Sequence, residues 1–516
     1  MRNRVLLFVV ILFCLPLCAA GCSHASEAPK ATAVPTVSPI ASDMPSPEPT
    51  PITVNGCAAE NGVLRAVVNA DDFALIEQMR LHSLDVSGSV CYPEILAYCA
   101  AHPEVDVLYT VAIGDDVLSN HDVSATVKDV PDASLLSYLP ALSDLTVKNP
   151  LSCEQAAALI NVLPDASLTY SVEFAGLAVN SDADALDLSD VSPERADALA
   201  EGIAVLPKIT DVQLNRADGS SDWTLEQAGI LQAVRPTLRV DLNVTAFGVH
   251  FSLTDEVVSF NRKYLASRKD ELIALLPYLR SVGRLDMEEC GLSDEEMAAL
   301  REQFPSPKIV WRVHVGPYEC RTDAIMIHFS NFVRYPMLRD QNTHALIYCN
   351  EVKYLDLGHN LIQDPYFVAY MPNLEVCIIA IHQPTDISAF ANCPHLEYAE
   401  LFNGSVTDVS ALANCTELKH LNLCMNQITD ITPLYGLKKL ERLWIAQNPI
   451  PQEQIDRFCE LVPNCVVNTT AEDPTLNEWR WDYSRPSRYS ERYELLRSQF
   501  LYGTGATSYT EEPDPD

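Results

Sequence analysis

Eight side chains between residues 354 and 444 have the composition of a protein-binding hot spot. They combine aromatic rings with an arginine, a glutamate, a histidine and an isoleucine: Tyr354, Ile378, Tyr398, Glu400, Phe402, His420, Arg442 and Trp444. Aromatic and arginine side chains carry most of the binding energy at protein interfaces. Most of the eight lie 22 residues, or a multiple of 22, apart. We predict that they form a ligand-binding site, and an element with that period must position them.

Candidates for catalysis and metal binding are scattered instead. None of the twelve histidines stands in an HExxH motif or a Cys/His cluster, and the chain has no GxSxG, P-loop or strand-linked GxGxxG motif. In a chain of formal charge −35, acidic pairs such as Glu288–Glu289 indicate solvated helix faces. We therefore expect no enzyme, no cofactor and no metal site. An enzyme with its site hidden in residues 63–320 stays an alternative.

The net charge also bears on partners. A chain with 70 acidic and 35 basic side chains is repelled by nucleic acid and by anionic lipid headgroups. We expect no nucleic-acid partner.

An internal repeat of 22 residues supplies the period that positions the eight side chains. Apolar residues recur at constant offsets in three columns. The first column is Val352, Leu374, Leu396, Leu418 and Leu440. The second is Leu355, Cys377, Ala399, Leu421 and Leu443. The third is Leu357, Ile379, Leu401, Leu423 and Ile445.

Strand alternation then gives the orientation of the candidate site. In "HLNLC", Leu421 and Leu423 belong to the apolar columns and point into a core, so His420, Asn422 and Cys424 point to the opposite face. The same alternation places the eight candidates on a concave sheet. The alternative is that this face tolerates apolar residues, or that a cap or a neighbouring repeat covers it.

The pattern resembles the leucine-rich repeat, in the 22-residue form of bacterial internalin-type surface proteins, over about residues 346–467. The resemblance implies a solenoid of short strands, turns and short helical stretches. It also implies a column of turn-bonding Asn residues, occupied here by Asn360, His382, Gly404, Asn426 and Asn448, whose second and third members depart from the family. A column of Asp residues, at 364, 386, 408 and 430, is interpreted as helix caps rather than calcium ligands.

Residues 56–320 repeat more loosely. Four strand-like segments, each following a Pro and ending at a Gly, are "VLYTVAIG", "LTYSVEFAG", "VDLNVTAFG" and "IVWRVHVG". "CGLSDEEMAALREQF" resembles the longer repeats of the ribonuclease-inhibitor type, with a capped helix. We predict irregular leucine-rich repeats with extra hairpins here, with a separate α/β domain as the alternative. Regular repeats follow over residues 321–467, and the whole is an α/β leucine-rich-repeat solenoid.

Both ends of the chain are distinct. Residues 1–22 resemble a bacterial lipoprotein signal, with "AAGC" as lipobox and Cys22 as the lipidated residue, although Ala19 stands where the family usually has Leu. An ordinary secretory signal is the alternative. Residues 23–55 are a Pro/Ser/Thr-rich tether. We predict that residues 468–516 form a cap for the solenoid end, followed by an acidic tail. The capping helix has Tyr489, Tyr493, Leu496 and Phe500 on one face.

Cysteines that recur at one repeat position, Cys349, Cys393 and Cys415, are expected to be buried, reduced thiols.

These observations favour an exported protein, lipid-anchored on the extracytoplasmic face of a cell membrane and monomeric, that binds a protein or a cell-surface macromolecule. The membrane contact is through the lipid anchor only. A structural or scaffolding envelope protein is the alternative. An exposed aromatic patch favours binding, a face covered by the cap favours scaffolding, and a deep pocket with converging titratable groups favours an enzyme.

Overall fold

The computed structural model describes residues 52–330, 337–381, 384–476, 479–481 and 488–500. Residues 1–22, Cys22, most of the tether, His382 and the acidic tail lie outside the described residues. Within them, no helix is long and apolar enough to cross a bilayer. The described chain opens with the antiparallel hairpin β1 (Thr53–Val54) and β2 (Cys57–Ala58). Val54 is fully buried, so the predicted tether, residues 23–55, overlaps the fold at β1.

Four modules follow, and each has three short parallel strands, helices between them, and a hairpin. The first module contains β3 (Val63–Arg65), α1 (Phe73–Ile76), β4 (Ser83–Asp85), α2 (Tyr92–Ala101), β5 (Asp106–Leu108) and the hairpin β6 (Thr110–Ile113) and β7 (Asp116–Ser119). The second contains β8 (Ser124–Val127), β9 (Asp144–Val147), α3 (Cys153–Val162), β10 (Ser167–Thr169) and the hairpin β11 (Ser171–Phe174) and β12 (Leu177–Asn180).

The third and fourth modules repeat this plan. The third contains β13 (Ala185–Asp187), α4 (Ala196–Ala204), β14 (Asp211–Gln213), α5 (Leu225–Gln232), β15 (Arg239–Asp241) and the hairpin β16 (Asn243–Ala246) and β17 (Val249–Ser252). The fourth contains β18 (Val257–Ser259), α6 (Lys269–Leu275), β19 (Arg284–Asp286), α7 (Asp294–Gln303), β20 (Lys308–Val310) and the hairpin β21 (Arg312–Val315) and β22 (Tyr318–Arg321). The predicted extra hairpins are thus present in every module.

The four long strands predicted here are each two strands. The chain changes partner at one buried residue, for example Tyr109 between β5 and β6. There the backbone N–H of Tyr109 donates to Asn120 Oδ1 at 2.9 Å, and the N–H of Asn120 donates to the carbonyl of Tyr109 at 3.1 Å. The strand thus leaves the parallel sheet and enters the hairpin without an unpaired buried amide. The alternation of residue types continues across this residue, which is why the sequence shows one strand.

Side-chain caps fix where three of the module helices, α3, α5 and α7, begin. Ser293 accepts a hydrogen bond from the backbone of Glu296, and Glu296 accepts one in return at the start of α7. Equivalent capping boxes begin α3 at Ser152 and α5 at Thr224. These contacts satisfy backbone donors that have no partner within the helix. The capped helix predicted in "CGLSDEEMAALREQF" is confirmed.

The regular repeats form one seven-stranded parallel sheet. Its strands are β23 (Met326–His328), β24 (Tyr354–Asp356), β25 (Val376–Ile378), β26 (Tyr398–Glu400), β27 (His420–Asn422), β28 (Arg442–Trp444) and β29 (Val466–Asn468). From β24 to β28 each residue pairs with the one 22 positions later, as in Tyr398 with His420. The connecting 3-10 helices are His344–Tyr348, Tyr366–Tyr370, Ser388–Asn392, Ser410–Asn414 and Thr432–Gly436. The second apolar column, from Leu355 to Leu443, is fully buried.

Polar columns hold the turns between repeats. Asn426 Nδ2 donates to the carbonyls of Leu401 and Leu423 at 2.9 and 3.0 Å, while its Oδ1 accepts from Val406 at 3.0 Å. The Asn column is interrupted at Gly404. A side chain does not fit there, because a Cβ added to Gly404 would lie 2.7 Å from Asn426 Oδ1. Asp386, Asp408 and Asp430 each accept the first N–H of a 3-10 helix at 2.8 Å. No cluster of metal ligands is found in the part of the chain that the structure describes.

The end of the solenoid differs from the prediction. The helix that follows the last regular repeat is α8 (Gln452–Leu461), whose Phe458 is fully buried in the solenoid core, and β29 completes the sheet. The predicted capping helix, α9 (Glu491–Gln499), packs on the concave face of the sheet instead of its end. Its apolar face was predicted correctly, since Tyr493, Leu496 and Phe500 are buried. The sequence did not predict the surface against which this face packs.

Candidate binding face and the segment that covers it

The eight predicted site residues lie together on the concave face, but they are not an open surface. Six are buried: Ile378 (2% exposed), Tyr398 (0%), Glu400 (0%), Phe402 (1%), His420 (7%) and Trp444 (2%). Tyr354 and Arg442 are half-buried. The side chains therefore point to the face that strand alternation predicts, whereas the expectation of an exposed patch is wrong. The alternative of a face covered by the protein's own chain describes what the structure shows.

The cover is the segment after β29. We call residues 469–476, 479–481 and 488–500 the C-terminal strap. Apolar side chains of the strap and the sheet form a second core, separate from the solenoid interior; it includes Ile378, Tyr398, Phe402 and Trp444 from the sheet and Ala471, Trp479, Tyr493, Leu496 and Phe500 from the strap. The strap thus shields the apolar side chains of the concave face from water by an intramolecular contact.

Glu400 is the polar centre of this contact. Its Oε1 accepts hydrogen bonds from Trp479 Nε1 at 2.7 Å, Arg480 Nε at 3.1 Å and the Tyr398 hydroxyl at 2.5 Å, and its Oε2 accepts one from Arg480 Nη2. Burial opposes the charge of Arg480, but pairing with Glu400 raises the pKa of Arg480 above its ordinary value. Burial, followed by the charge of Glu400, raises the pKa of Tyr398. The strap therefore binds a buried carboxylate with a bidentate guanidinium and an indole.

Aromatic contacts surround this ion pair. The ring of Trp479 lies between those of Tyr398 and Trp444, with centroid distances of 5.4 and 5.2 Å. Arg442 places its guanidinium carbon 4.9 Å from the Trp479 ring centroid and donates from Nε to His420 Nδ1 at 3.0 Å. Burial, then the charge of Arg442, lowers the pKa of His420 to about 3. His420 is therefore neutral at pH 7, as the hydrogen bond from Arg442 requires.

Both ends of the strap are also attached to the sheet. Near its beginning, Asn422 Nδ2 donates to the carbonyl of Pro474 at 2.9 Å and Gln447 Nε2 donates to that of Ala471 at 3.1 Å. Near its end, the Phe500 ring lies 6.3 Å from the Tyr354 ring. The strap thus lies against strands β24 to β28, the same strands that carry the predicted site.

The fit of the strap is incomplete at several polar atoms. Trp444 Nε1, Arg492 Nε and Gln499 Oε1 are buried and have no hydrogen-bond partner among the described residues. A buried donor or acceptor without a partner costs roughly 1–3 kcal/mol. The contact between strap and sheet is consequently strong at Glu400 and weakened at these three atoms.

A cavity of about 310 Å³ remains between the strap and the carboxyl ends of β23 to β25. Its sheet side includes His328, Asp356 and Ile378, and its strap side includes Arg480 and Arg497. Burial lowers the pKa of His328 to about 4 and raises that of Asp356 to about 7. Sequence inspection missed this cavity, because its walls come from residues more than 100 positions apart.

The predicted thiols and lipid site have different outcomes. Cys349, Cys393 and Cys415 are buried free thiols, as expected. Cys22 lies outside the described residues, so its lipidation stays a prediction.

Comparison with known proteins supports the repeat assignment. Residues 416–458 match the family model for leucine-rich repeats (2 copies). Together with the 22-residue register of the sheet, this match confirms the α/β leucine-rich-repeat solenoid.

Among solved structures, an internalin of Listeria monocytogenes is 17% identical, with 70% of this chain and 86% of that chain covered and a TM-score of 0.26. A leucine-rich-repeat protein of Leptospira interrogans is 15% identical, with 78% and 93% covered and a TM-score of 0.26. Internalin C2 of Listeria monocytogenes is 19% identical, with 30% and 76% covered and a TM-score of 0.22. No curated protein matches the sequence.

Proposed function

We propose that this is an exported, membrane-anchored leucine-rich-repeat protein that binds another protein or cell-surface macromolecule on its concave sheet, and that the C-terminal strap occupies this sheet until a partner displaces it. Repeat solenoids use their concave surfaces for binding. The export and anchoring part of the proposal rests on the apolar segment before "AAGCS" and on Cys22.

One observation carries the binding proposal. The concave sheet binds a polypeptide segment through contacts typical of interface hot spots, namely a tryptophan between two aromatic rings and an arginine on a buried carboxylate. The segment is the chain's own strap. Three buried polar atoms at this contact have no hydrogen-bond partner among the described residues, which favours a displaceable contact over a permanent one.

The scaffolding alternative is favoured by the cover itself. If the strap never leaves, the aromatic residues of the sheet are simply a second core and the protein has no ligand on this face.

The test compares baits that differ in strap occupancy. Labelled wild-type protein and the Arg480→Met variant are incubated with intact cells and with secreted extracts, and captured macromolecules are identified. We expect the variant to capture a partner more strongly, because losing the bond to Glu400 weakens strap docking. The matched control is Arg457→Met on α8, whose arginine pairs with the exposed Glu460.

A second pair of variants locates the site. Adding Tyr398→Ala and Trp444→Ala to the Arg480→Met bait should abolish capture, with the solenoid still folded by circular dichroism. Undiminished capture would place the binding site elsewhere. Equal capture by wild type, Arg480→Met and Arg457→Met would favour the scaffolding alternative.

Membrane anchoring has its own test. Metabolic labelling with a fatty acid should mark the wild-type protein, and Cys22→Ala should lose the label and either leave the membrane fraction or remain an uncleaved precursor. An unlabelled wild-type protein would contradict lipidation and indicate an ordinary secretory signal.

A further inference from the structure

The cavity between strap and sheet has unused hydrogen-bond donors on its strap side. Arg480 uses Nε and Nη2 for Glu400, and its Nη1 makes no hydrogen bond or ion pair among the described residues. The hydroxyls of Tyr489 and Tyr493 also make no hydrogen bond within that part of the chain, although both residues line the cavity. Donors that converge on a cleft or cavity are the usual sign of a ligand site.

Charge gives the class of ligand. The charge of Arg480 is balanced by Glu400. Arg497 lines the same cavity, and none of the carboxylates in the described ranges lies within ion-pair distance of it. The Tyr489 ring holds it in place, with 4.1 Å between the guanidinium carbon and the ring centroid. A guanidinium without a carboxylate partner among the described residues suits a single negative charge, and its planar fork matches a carboxylate.

The rest of the cavity fits an organic body. Ile378 and Ala380 form an apolar wall on the sheet side, and the rings of Tyr489 and Tyr493 lie opposite, with centroids 5.2 Å apart. Asp356 is the carboxyl group on the sheet side of the cavity, and since burial raises its pKa to about 7, its charge is reduced near neutral pH. A volume of about 310 Å³ admits a molecule of the size of an aromatic acid.

We propose that this cavity binds a small organic monocarboxylate, with the carboxylate on Arg497 and Arg480 Nη1 and the organic part between Ile378 and the tyrosine rings. The bound acid contacts both strap and sheet. This site shares Ile378 with the partner-binding face, but it is formed while the strap is docked and does not depend on the proposed function.

The experiment is calorimetric titration of the detergent-solubilised full-length protein with acetate, phenylacetate and indole-3-acetate. Phenylacetamide is the matched neutral probe and inorganic phosphate is the competing anion. We expect saturable binding of at least one acid, and binding of phenylacetamide and phosphate weaker by about tenfold or more than that acid.

Two variants and a matched control test the residues. Arg497→Gln should weaken acid binding by about tenfold or more, whereas Arg457→Gln on α8 should leave it unchanged. Tyr489→Phe keeps the ring that supports Arg497 and should give a smaller loss. Circular dichroism confirms that each variant is folded.

Three results would overturn the assignment. They are no saturable binding of any of the three acids to the wild-type protein, equal binding of phenylacetate and phenylacetamide, and acid binding that Arg497→Gln leaves unchanged. Tighter, Arg497-dependent binding of inorganic phosphate would keep an anion site but overturn its assignment to a carboxylate.

Discussion

Replacing Arg480 by methionine should open the strap without unfolding the solenoid. Methionine keeps an unbranched apolar side chain but removes both hydrogen bonds to Glu400. Glu400 is fully buried and the Arg480 side chain is 16% exposed. Removing one partner of a buried ion pair costs about 3–5 kcal/mol, since the other charge is left without compensation.

Opening of the strap limits this cost, because water then reaches Glu400. The substitution therefore weakens docking of the strap and does not destabilise the solenoid core. A loss of about 3–5 kcal/mol corresponds to an increase of roughly two to three and a half orders of magnitude in the open-to-docked ratio.

Native-state hydrogen exchange measures that ratio at the amides of α9. We expect α9 to exchange faster in Arg480→Met by that factor, while β24 to β28 keep their protection. Arg457→Met should change little, because its partner Glu460 is 65% exposed and surface ion pairs contribute about 0–1 kcal/mol. Unchanged exchange of α9 in Arg480→Met would refute the central role of Glu400. Simultaneous loss of protection in α9 and the sheet would show one cooperative unit and would refute displacement.

Three further outcomes are expected. Leu421→Ala should destabilise the solenoid by about 2–5 kcal/mol in urea unfolding, since Leu421 is fully buried; a loss below about 1 kcal/mol would contradict the core assignment. Cys393 and Cys415 should appear as separate reduced peptides after denaturing, non-reducing alkylation and mass spectrometry, and a linked 393–415 peptide would overturn this prediction. Finally, acid should open the strap. With the strap docked, the pKa of His420 is about 3, below its usual 6.5, so the open form binds the proton more readily. Docking therefore weakens as the pH falls below 6.5, by up to about 1.4 kcal/mol per pH unit. Protonation of His328 also weakens docking at low pH, whereas protonation of Asp356 strengthens it, so the contribution of His420 is measured by comparing wild type with His420→Gln. Hydrogen exchange of α9 should depend less on pH between 7 and 5 in His420→Gln than in wild type. An equal dependence would exclude His420 as the titrating group.

The sequence predicted the regular solenoid residue by residue because its signal is periodic. A constant spacing of 22 forces Leu421 to pair with Leu443, and strand alternation then places Trp444 on the concave face. In the N-terminal modules the spacing varies, so the hairpins were predicted but the strand break at Tyr109 was not. That break depends on a polar side chain eleven residues later, which is Asn120 in the first module and recurs as Ser181 and Thr322 in the second and fourth, a recurrence that a search for 22-residue periodicity does not detect.

The cover of the concave face was not predictable in the same way. Glu400 and Arg480 are 80 residues apart, and this pairing occurs once, so no repetition indicates it. One signal was available. The concave face and the helix of the strap each presented an apolar stripe without a partner, Tyr398 and Trp444 on one side and Tyr493, Leu496 and Phe500 on the other. Two unpartnered apolar stripes in one chain favour contact with each other before contact with a third molecule.

If a partner binds the concave sheet, the strap also determines how strongly that partner must bind. A tethered segment competes at an effective concentration of the order of millimolar, so it is docked most of the time even if its contact is weak. The apparent affinity of a partner is its intrinsic affinity multiplied by the fraction of molecules whose strap is open. For a docking free energy of about 4 kcal/mol, that fraction is on the order of one in a thousand. A partner of nanomolar intrinsic affinity then binds wild type only in the micromolar range and is lost in washing, whereas a variant with an open strap retains it. Failure to capture a partner with wild-type protein therefore does not distinguish a scaffold from a covered binding face, and capture with Arg480→Met does.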